Sequence, residues 1–286
     1  MKGENQKALS VFGGTGFIGS RYCQLYENQV IKIDKKSPHP KSKDVLYFIS
    51  TVDNYNIFSD PFLDVETNLN VLIKTLEACR EYSNETTFNF ISSWFVYGKT
   101  DSLPASEDSY CNPKGFYSIT KRAAEQLIIS YCETYNIKYR ILRLCNVCGE
   151  TDLKVSKKKN ALQHLINEVI NDRDVNLYDG GTNIRDYMYV NDICRAINTC
   201  IESESINEII NIGSGIPYQI KDMLEYVRNK VNSKSNFISI EAPEFHKVVQ
   251  IKNMYLDVTK LKNMGFKQEY DMNKMLDILI ENGSKR

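Results

Sequence analysis

The sequence predicts an α/β fold, a doubly wound parallel sheet carrying a smaller C-terminal α+β domain. Three observations predict it. Short apolar, β-rich runs alternate with helical patterns through the first two-thirds of the 286 residues. A glycine-rich turn follows the first apolar run directly and opens a helix. After Gly149 the composition loosens, and shorter strands and helices follow. A chain of this length buries a substantial core, as one large domain or two modest ones.

The first strand, Leu9–Phe12, runs into Gly13-Gly14-Thr15-Gly16-Phe17-Ile18-Gly19. A helix over Phe17–Tyr26 and a strand over Val30–Ile33 come next, with Asp34 at the strand tip. Strand, tight turn, helix, strand and carboxylate in that order is the arrangement of a Rossmann-type dinucleotide site. Gly13 permits the turn, Gly16 lets the backbone approach a pyrophosphate, and Gly19 lets helix and strand pack closely. The helix start at Phe17 and Ile18 offers free N–H groups to the anion. Asp34 suits a ribose 2′-hydroxyl and would repel a 2′-phosphate, a repulsion that Lys35 and Lys36 would offset. NAD is therefore expected, with NADP possible; the alternative for the turn is an ordinary glycine-rich loop.

Only ten residues, Lys35 to Asp44, precede the third apolar run, and they include Pro38 and Pro40. A crossover that contains a helix takes at least about 10–12 residues. The usual edge strand and its helix are expected to be missing; ten extended residues still span roughly 33 Å, enough to cross the sheet. The remaining strands are expected at Val45–Ile49, Phe88–Ile91, Tyr139–Leu144 and Ile209–Ile212. Helices are expected at Val65–Tyr82, Tyr117–Tyr135, Ala161–Asn171, Ile220–Val231 and Met272–Asn282. Residues 1–149 and 186–213 would form the dinucleotide-binding domain. Residues 150–185 and 214–286 would form the second domain, and a cleft would lie between the two.

Lysine plus arginine equal aspartate plus glutamate at 36 each, so no global field favours nucleic acid or a membrane as partner. The basic run Lys157-Lys158-Lys159 reads as a solvated loop. No apolar stretch approaches a membrane span, and Met1-Lys2-Gly3-Glu4-Asn5 lacks the apolar core of a signal peptide. A soluble, cytoplasmic protein is expected. Most of the eight cysteines, such as Cys79, Cys132, Cys194 and Cys200, are expected in helices or strands and read as small apolar residues. Cys145 and Cys148 form a C-x-x-C pair without a second pair, and His39, His164 and His246 are scattered. No metal is expected, because a closed zinc site needs four ligands.

Tyr117 and Lys121 are four apart at the start of a helix, so their side chains share one face. A lysine ammonium near the phenol favours the phenolate, and a bound nicotinamide cation would favour it further. Together they would make a usable base of a group with an ordinary pKa near 10. Upstream, Phe88-Asn89-Phe90-Ile91 runs into Ser92-Ser93-Trp94-Phe95-Val96-Tyr97-Gly98. Hydroxyls at the C-terminal end of a parallel strand lie where open α/β sheets bind ligands, and a serine there would bond a sugar or keto oxygen. Serines capping a turn are the alternative.

On these motifs the chain resembles the extended short-chain dehydrogenase/reductases, in particular the NAD-dependent nucleotide-sugar epimerase/dehydratase group. The resemblance covers almost the whole chain. Leu142-Arg143-Leu144-Cys145-Asn146-Val147-Cys148-Gly149 is similar to the family's L-R-x-x-N-x-x-G segment, and Arg185–Asp192 to its R-D-x-x-x-V-x-D stretch. Asn211–Gly215 and Asp257–Lys260 also have counterparts. The resemblance implies Ser93, Tyr117 and Lys121 as the catalytic set. It implies cofactor contacts at Gly13, Gly16, Phe17, Ile18, Asp34, Lys35, Ser50, Thr51 and Asn68, besides Tyr117 and Lys121. Trp94, Asn146, Asn160 and Arg185 would meet the substrate, a nucleotide-diphosphate sugar. Arg185 brings a planar bidentate guanidinium to the diphosphate, unless it pairs with Asp186 or Asp192. Asn160 would touch the substrate or cap the helix that follows it.

Two departures narrow the expectation. Dehydratases of the group carry an acid/base pair immediately after the strand-end hydroxyl; here Trp94 and Phe95 have no proton to exchange, which argues against 4,6-dehydration. The expected activity is 4-epimerisation with tightly bound NAD. An NAD(P)H-dependent 4-ketoreductase of a 4-keto-6-deoxy sugar is the alternative, and a non-catalytic dinucleotide-binding protein a minor one. The short segment after Asp34 leaves the adenine pocket to Lys35–Asp44 and Ser50-Thr51-Val52, which suits an exchanging cofactor and so the reductase. Relatives dimerise through the helices at Val65–Tyr82 and Tyr117–Tyr135, so a homodimer is expected.

Overall fold

The computed structural model describes residues 8–36, 38–152 and 160–283. The Lys157–Lys159 run lies outside them. Six strands form one parallel sheet. From edge to edge the order is Val30–Lys32, Leu9–Phe12, Asp44–Tyr47, Thr87–Ser93, Lys138–Leu144 and Glu208–Ile212. All but the edge strand Val30–Lys32 are mostly buried, as expected where helices cover both faces. Alternate residues feed two cores. Val11, Leu46, Ile91 and Leu142 face one, shared with the Phe17–Leu25 and Val190–Glu202 helices and with the C-terminal part of the chain. Phe12, Val45, Tyr47, Phe88, Phe90 and Ile141 face the other, against the Val71–Cys79 and Phe116–Tyr135 helices.

The short segment after Asp34 does what its length dictates. Val30–Lys32 and Asp44–Tyr47 flank Leu9–Phe12 on opposite sides, and among the described residues no helix or strand lies between them. The second strand is consequently the sheet edge. Ser10 anchors the crossing, its hydroxyl accepting from the Lys41 amide at 2.8 Å.

Several boundaries differ from expectation, most by one or two residues, and two of them bear on the site. The Val45–Ile49 run ends as a strand at Tyr47; the Phe48 amide still donates to the Phe12 carbonyl at 2.9 Å, and Phe48 and Ile49 then pack on Gly13. The helix expected over Val65–Tyr82 begins at Leu63, contains a π-helical turn at Glu66–Asn70, and gives way after Cys79 to a 3₁₀ segment. Such π turns are frequent at functional sites.

The C-terminal part packs the Ala161–Ile170, Ile220–Val231 and Met272–Gly283 helices beside a parallel strand pair, Val175–Tyr178 with Phe237–Ile240. Its apolar residues Leu162, Ile166, Leu224 and Met275 join the first core. Among the described residues no helix is long and apolar enough to cross a membrane. Cys145 and Cys148 are buried free thiols, pushed up by burial and so unreactive.

Candidate active site

The glycine turn takes the shape its spacing requires. Gly13 has φ +77°, and a Cβ there would sit 3.0 Å from the Ile49 amide nitrogen. A Cβ on Gly19 would collide with the Gly13 carbonyl oxygen. Gly16 differs: its nearest neighbour would be the Gly13 oxygen at 3.5 Å, so the space a side chain would fill is open. It occupies the N-cap of the Phe17–Leu25 helix and has no side chain to satisfy the free N–H groups. An open cradle of glycine backbone at a helix N-terminus fits the pyrophosphate of a dinucleotide. Asp34 and Lys35 are exposed at the adjoining strand end, where the Asp34 carboxylate accepts from the Lys36 amide at 2.7 Å.

The Phe116–Tyr135 helix presents the Tyr/Lys pair from its first turn. Gly115 is its N-cap because a Cβ there would run into the Asn54 side chain. Ser118 closes the turn by donating to the Gly115 carbonyl at 2.9 Å, and Asn54 Oδ1 accepts from the Ser118 amide at 3.2 Å. Tyr117 is buried, and burial pushes its phenol up to about 12, with the Ser93 hydroxyl beside it pulling the other way. Ser93 ends the fourth strand of the sheet, and its Oγ accepts from the Phe95 amide at 3.3 Å.

Lys121 corrects one expectation. Its ammonium donates to the Ile91 carbonyl at 2.6 Å and lies 4.0 Å from the centroid of the Phe90 ring. Burial lowers it to about 7. Tyr117 and Lys121 do share a helix face, but sheet carbonyl and ring claim the ammonium. The phenol is therefore raised by burial rather than lowered by the lysine.

Ser50, Thr51 and Asn68 come together. Asn68 Oδ1 accepts from Ser50 Oγ at 3.0 Å and from the Thr51 amide at 2.9 Å. Its Nδ2 donates to Thr51 Oγ1 at 2.8 Å and to Thr120 Oγ1 at 2.9 Å. The π-helical turn thus ties the loop after the third strand to the helix that carries Tyr117.

Trp94 is 3% exposed and stacks on Phe95, ring centroids 3.9 Å apart. Phe95 in turn stands edge-on to Tyr117 at 6.0 Å. On the far side, the Arg185 guanidinium lies 5.4 Å from the Trp94 ring centroid. Arg185 donates to the carbonyls of Ile184 and Lys252 at 2.8 and 2.7 Å and pairs with neither Asp186 nor Asp192. Asp186 accepts from Ser214 and Gly215, and Asp192 from Arg195 and the Tyr270 amide. Arg185 is thus a buried cation with no carboxylate partner among the described residues. Asn146 Nδ2 donates to the Asp186 carbonyl at 2.9 Å. Asn160 has φ +55° and does not cap its helix; its amide donates to Val147 and Gln163.

Residues 44–213 match the family described as NAD dependent epimerase/dehydratase. The chain belongs to that family. A protein from Methanocaldococcus jannaschii with the provisional name UDP-glucose 4-epimerase is 28% identical, over 93% of this chain and 95% of its own. A UDP-glucose 4-epimerase from Thermotoga maritima, solved with UDP-glucose, superimposes at TM-score 0.86 and 22% identity, covering 97% of this chain and 99% of that one. A UDP-glucuronic acid 4-epimerase from Bacillus cereus, solved with NAD, gives 0.83 and 22% over 97% and 99%. The likeness to these two structures is one of fold.

Within this family member, three features had no motif to announce them. Asp64 is fully buried between Leu63 and Val65, bonded to Thr51 and Asn56. Glu125 is buried on the Tyr117 helix and takes a two-point bond from Arg143 plus the Ser92 hydroxyl. The Tyr55 hydroxyl and His246 Nδ1 lie 3.1 Å apart, while Phe245 packs on Phe58 and Tyr178 on His246. This last cluster joins the N-terminal and C-terminal parts of the chain. Its only sequence signal was a run of aromatic residues with no periodicity.

Proposed function

We propose that the protein is a nucleotide-sugar 4-epimerase, working in the cytoplasm on tightly bound NAD. The observation that carries this reading is the convergence of Ser93 and the buried Tyr117 phenol at the C-terminal end of the sheet that also bears the open Gly13–Gly19 cradle. When bound, the nicotinamide ring supplies a hydride acceptor and donor. Gly13, Gly16 and the amides of Phe17 and Ile18 would hold its pyrophosphate, Asp34 and Lys35 the ribose side, and Ser50, Thr51 and Asn68 the wall nearest Tyr117.

Arg185, a buried cation with no carboxylate partner among the described residues, would take the substrate diphosphate. Asn146, Asn160 and Trp94 would border the sugar nucleotide. Ser93 would bond the C4 oxygen while Tyr117 accepts its proton as the C4–H hydride leaves. The 4-keto sugar then turns and regains hydride on its other face, and Tyr117 returns the proton. As an isolated group Tyr117 is a neutral phenol; a positive charge arriving beside it lowers it into working range. Lys121 would hold the ribose and the Ile91 strand end in register. Trp94 and Phe95 have no titratable group, so neither can serve as the acid or base that expels water from the sugar.

A 4-ketoreductase is the second reading. One observation favours it: the helix-free segment between Lys32 and Asp44 leaves little protein to hold an adenine ring permanently. We also propose a homodimer, because Val65 and Ile73 on one helical stretch and Ile119, Leu127 and Tyr135 on another are exposed apolar residues.

Incubation of the purified protein with UDP-, dTDP-, CDP- and GDP-sugars, followed by NMR, tests the reading. C4 epimers forming without added reductant support it. Consumption of NAD(P)H by a 4-keto sugar moves the assignment to the reductase, and turnover of none of them removes it.

A further inference from the structure

Asp64 is a fully buried carboxylate with no cation beside it. Its Oδ1 accepts from Thr51 Oγ1 and from Asn56 Nδ2, the latter at 3.0 Å, and its Oδ2 has no partner. Among the described residues no lysine or arginine pairs with it. A buried carboxyl with an unpartnered oxygen is costly to keep, and such groups concentrate at functional sites.

Its surroundings identify what would balance it. Asp64 lies within electrostatic reach of Tyr117, where it and Asp53 both hold the phenol up. Its bond runs to Thr51, and Thr51 is tied through Asn68 to Thr120 on the Tyr117 helix. On that helix Lys121 is engaged by the Ile91 carbonyl and Arg122 pairs with Glu125. The surroundings of Tyr117 therefore carry carboxylates, and among the described residues no free positive charge joins them. An oxidised nicotinamide ring bears one positive charge and a reduced ring none.

We propose that Asp64 is the countercharge for the oxidised nicotinamide ring, biasing the site toward the oxidised cofactor. Thr51 and Asn56 hold the carboxylate in place, and the charge acts through space on the ring rather than on the substrate. This rests on the dinucleotide reading above. It distinguishes an enzyme that rests with oxidised cofactor from one that must load reduced cofactor for every turnover.

The test is the dissociation constants of NAD and NADH, measured by calorimetry on the full chain freed of cofactor and on Asp64→Asn. The ratio Kd(NAD)/Kd(NADH) is expected to rise by about tenfold or more in the variant, the effect of removing one unit charge that acts on the ring. Asp60→Asn, which removes an exposed carboxylate four positions upstream, should leave the ratio unchanged. Asp64→Ser serves in the same way should Asp64→Asn fail to fold by circular dichroism. An unchanged ratio, or equal weakening of both forms, overturns the role of Asp64 and leaves the dinucleotide reading intact. A wild-type chain that binds neither form overturns both.

Discussion

Lys121 gives its ammonium to the Ile91 carbonyl at 2.6 Å, one helical turn from the Tyr117 phenol that shares its face. The lysine therefore joins the Tyr117 helix to the strand that ends at Ser93, and its burial has a consequence for pH dependence. Its folded value is about 7, below its ordinary 10.5. Between those values the unfolded chain binds the proton and the folded chain does not, so this group makes stability rise with pH from about 7 to 10.5. Below that window both states are protonated and the buried charge is destabilising. Urea titrations of wild type and Lys121→Met should show the wild type gaining on the variant across the window, by on the order of 4 kcal/mol in total. A constant gap would contradict the buried, low-lying ammonium.

Tyr117→Phe removes the proton carrier but keeps the ring that Phe95 meets edge-on. Turnover is expected to fall by roughly 10²–10⁴ with the melting temperature little changed. Steady-state kinetics with the best substrate, beside a thermal melt, checks both parts.

The two glycines at the cradle should separate folding from binding. Gly13→Ala forces a side chain into positive φ against the Phe48–Ile49 backbone, and is expected to destabilise by roughly 1–3 kcal/mol. Gly16→Val meets open space and should leave the melting point of cofactor-free protein nearly unchanged while weakening NAD at least about tenfold. Equal effects of the two on stability would contradict the cradle.

Arg185→Lys keeps the charge but loses the planar fork, while Arg185→Ala loses both. UDP affinity by calorimetry should fall in the order wild type, Lys, Ala, with the alanine variant weaker by about tenfold or more. Unchanged UDP binding would reassign Arg185 to holding Ile184 and Lys252.

Much of this was legible because its signals are local. The Gly13–Gly19 turn, the four-residue step from Tyr117 to Lys121 and the ten-residue gap after Asp34 each read correctly as backbone geometry. Periodicity says which face a side chain takes but not which neighbour awaits it, so the Ile91 carbonyl was invisible as the partner of Lys121. Asp64 was hidden for the same reason: its meaning lies in Thr51, thirteen positions away across a loop. Tyr55 and His246 are 191 positions apart, and nothing in either segment points to the other.

The most direct test of transient oxidation at C4 uses a nucleotide sugar labelled with deuterium at C4 and unlabelled NADH in solution. The account predicts that both epimers keep the label at C4, with none lost to solvent or to the added NADH. Epimers that form with the label washed out, or label lost without epimerisation, would contradict it.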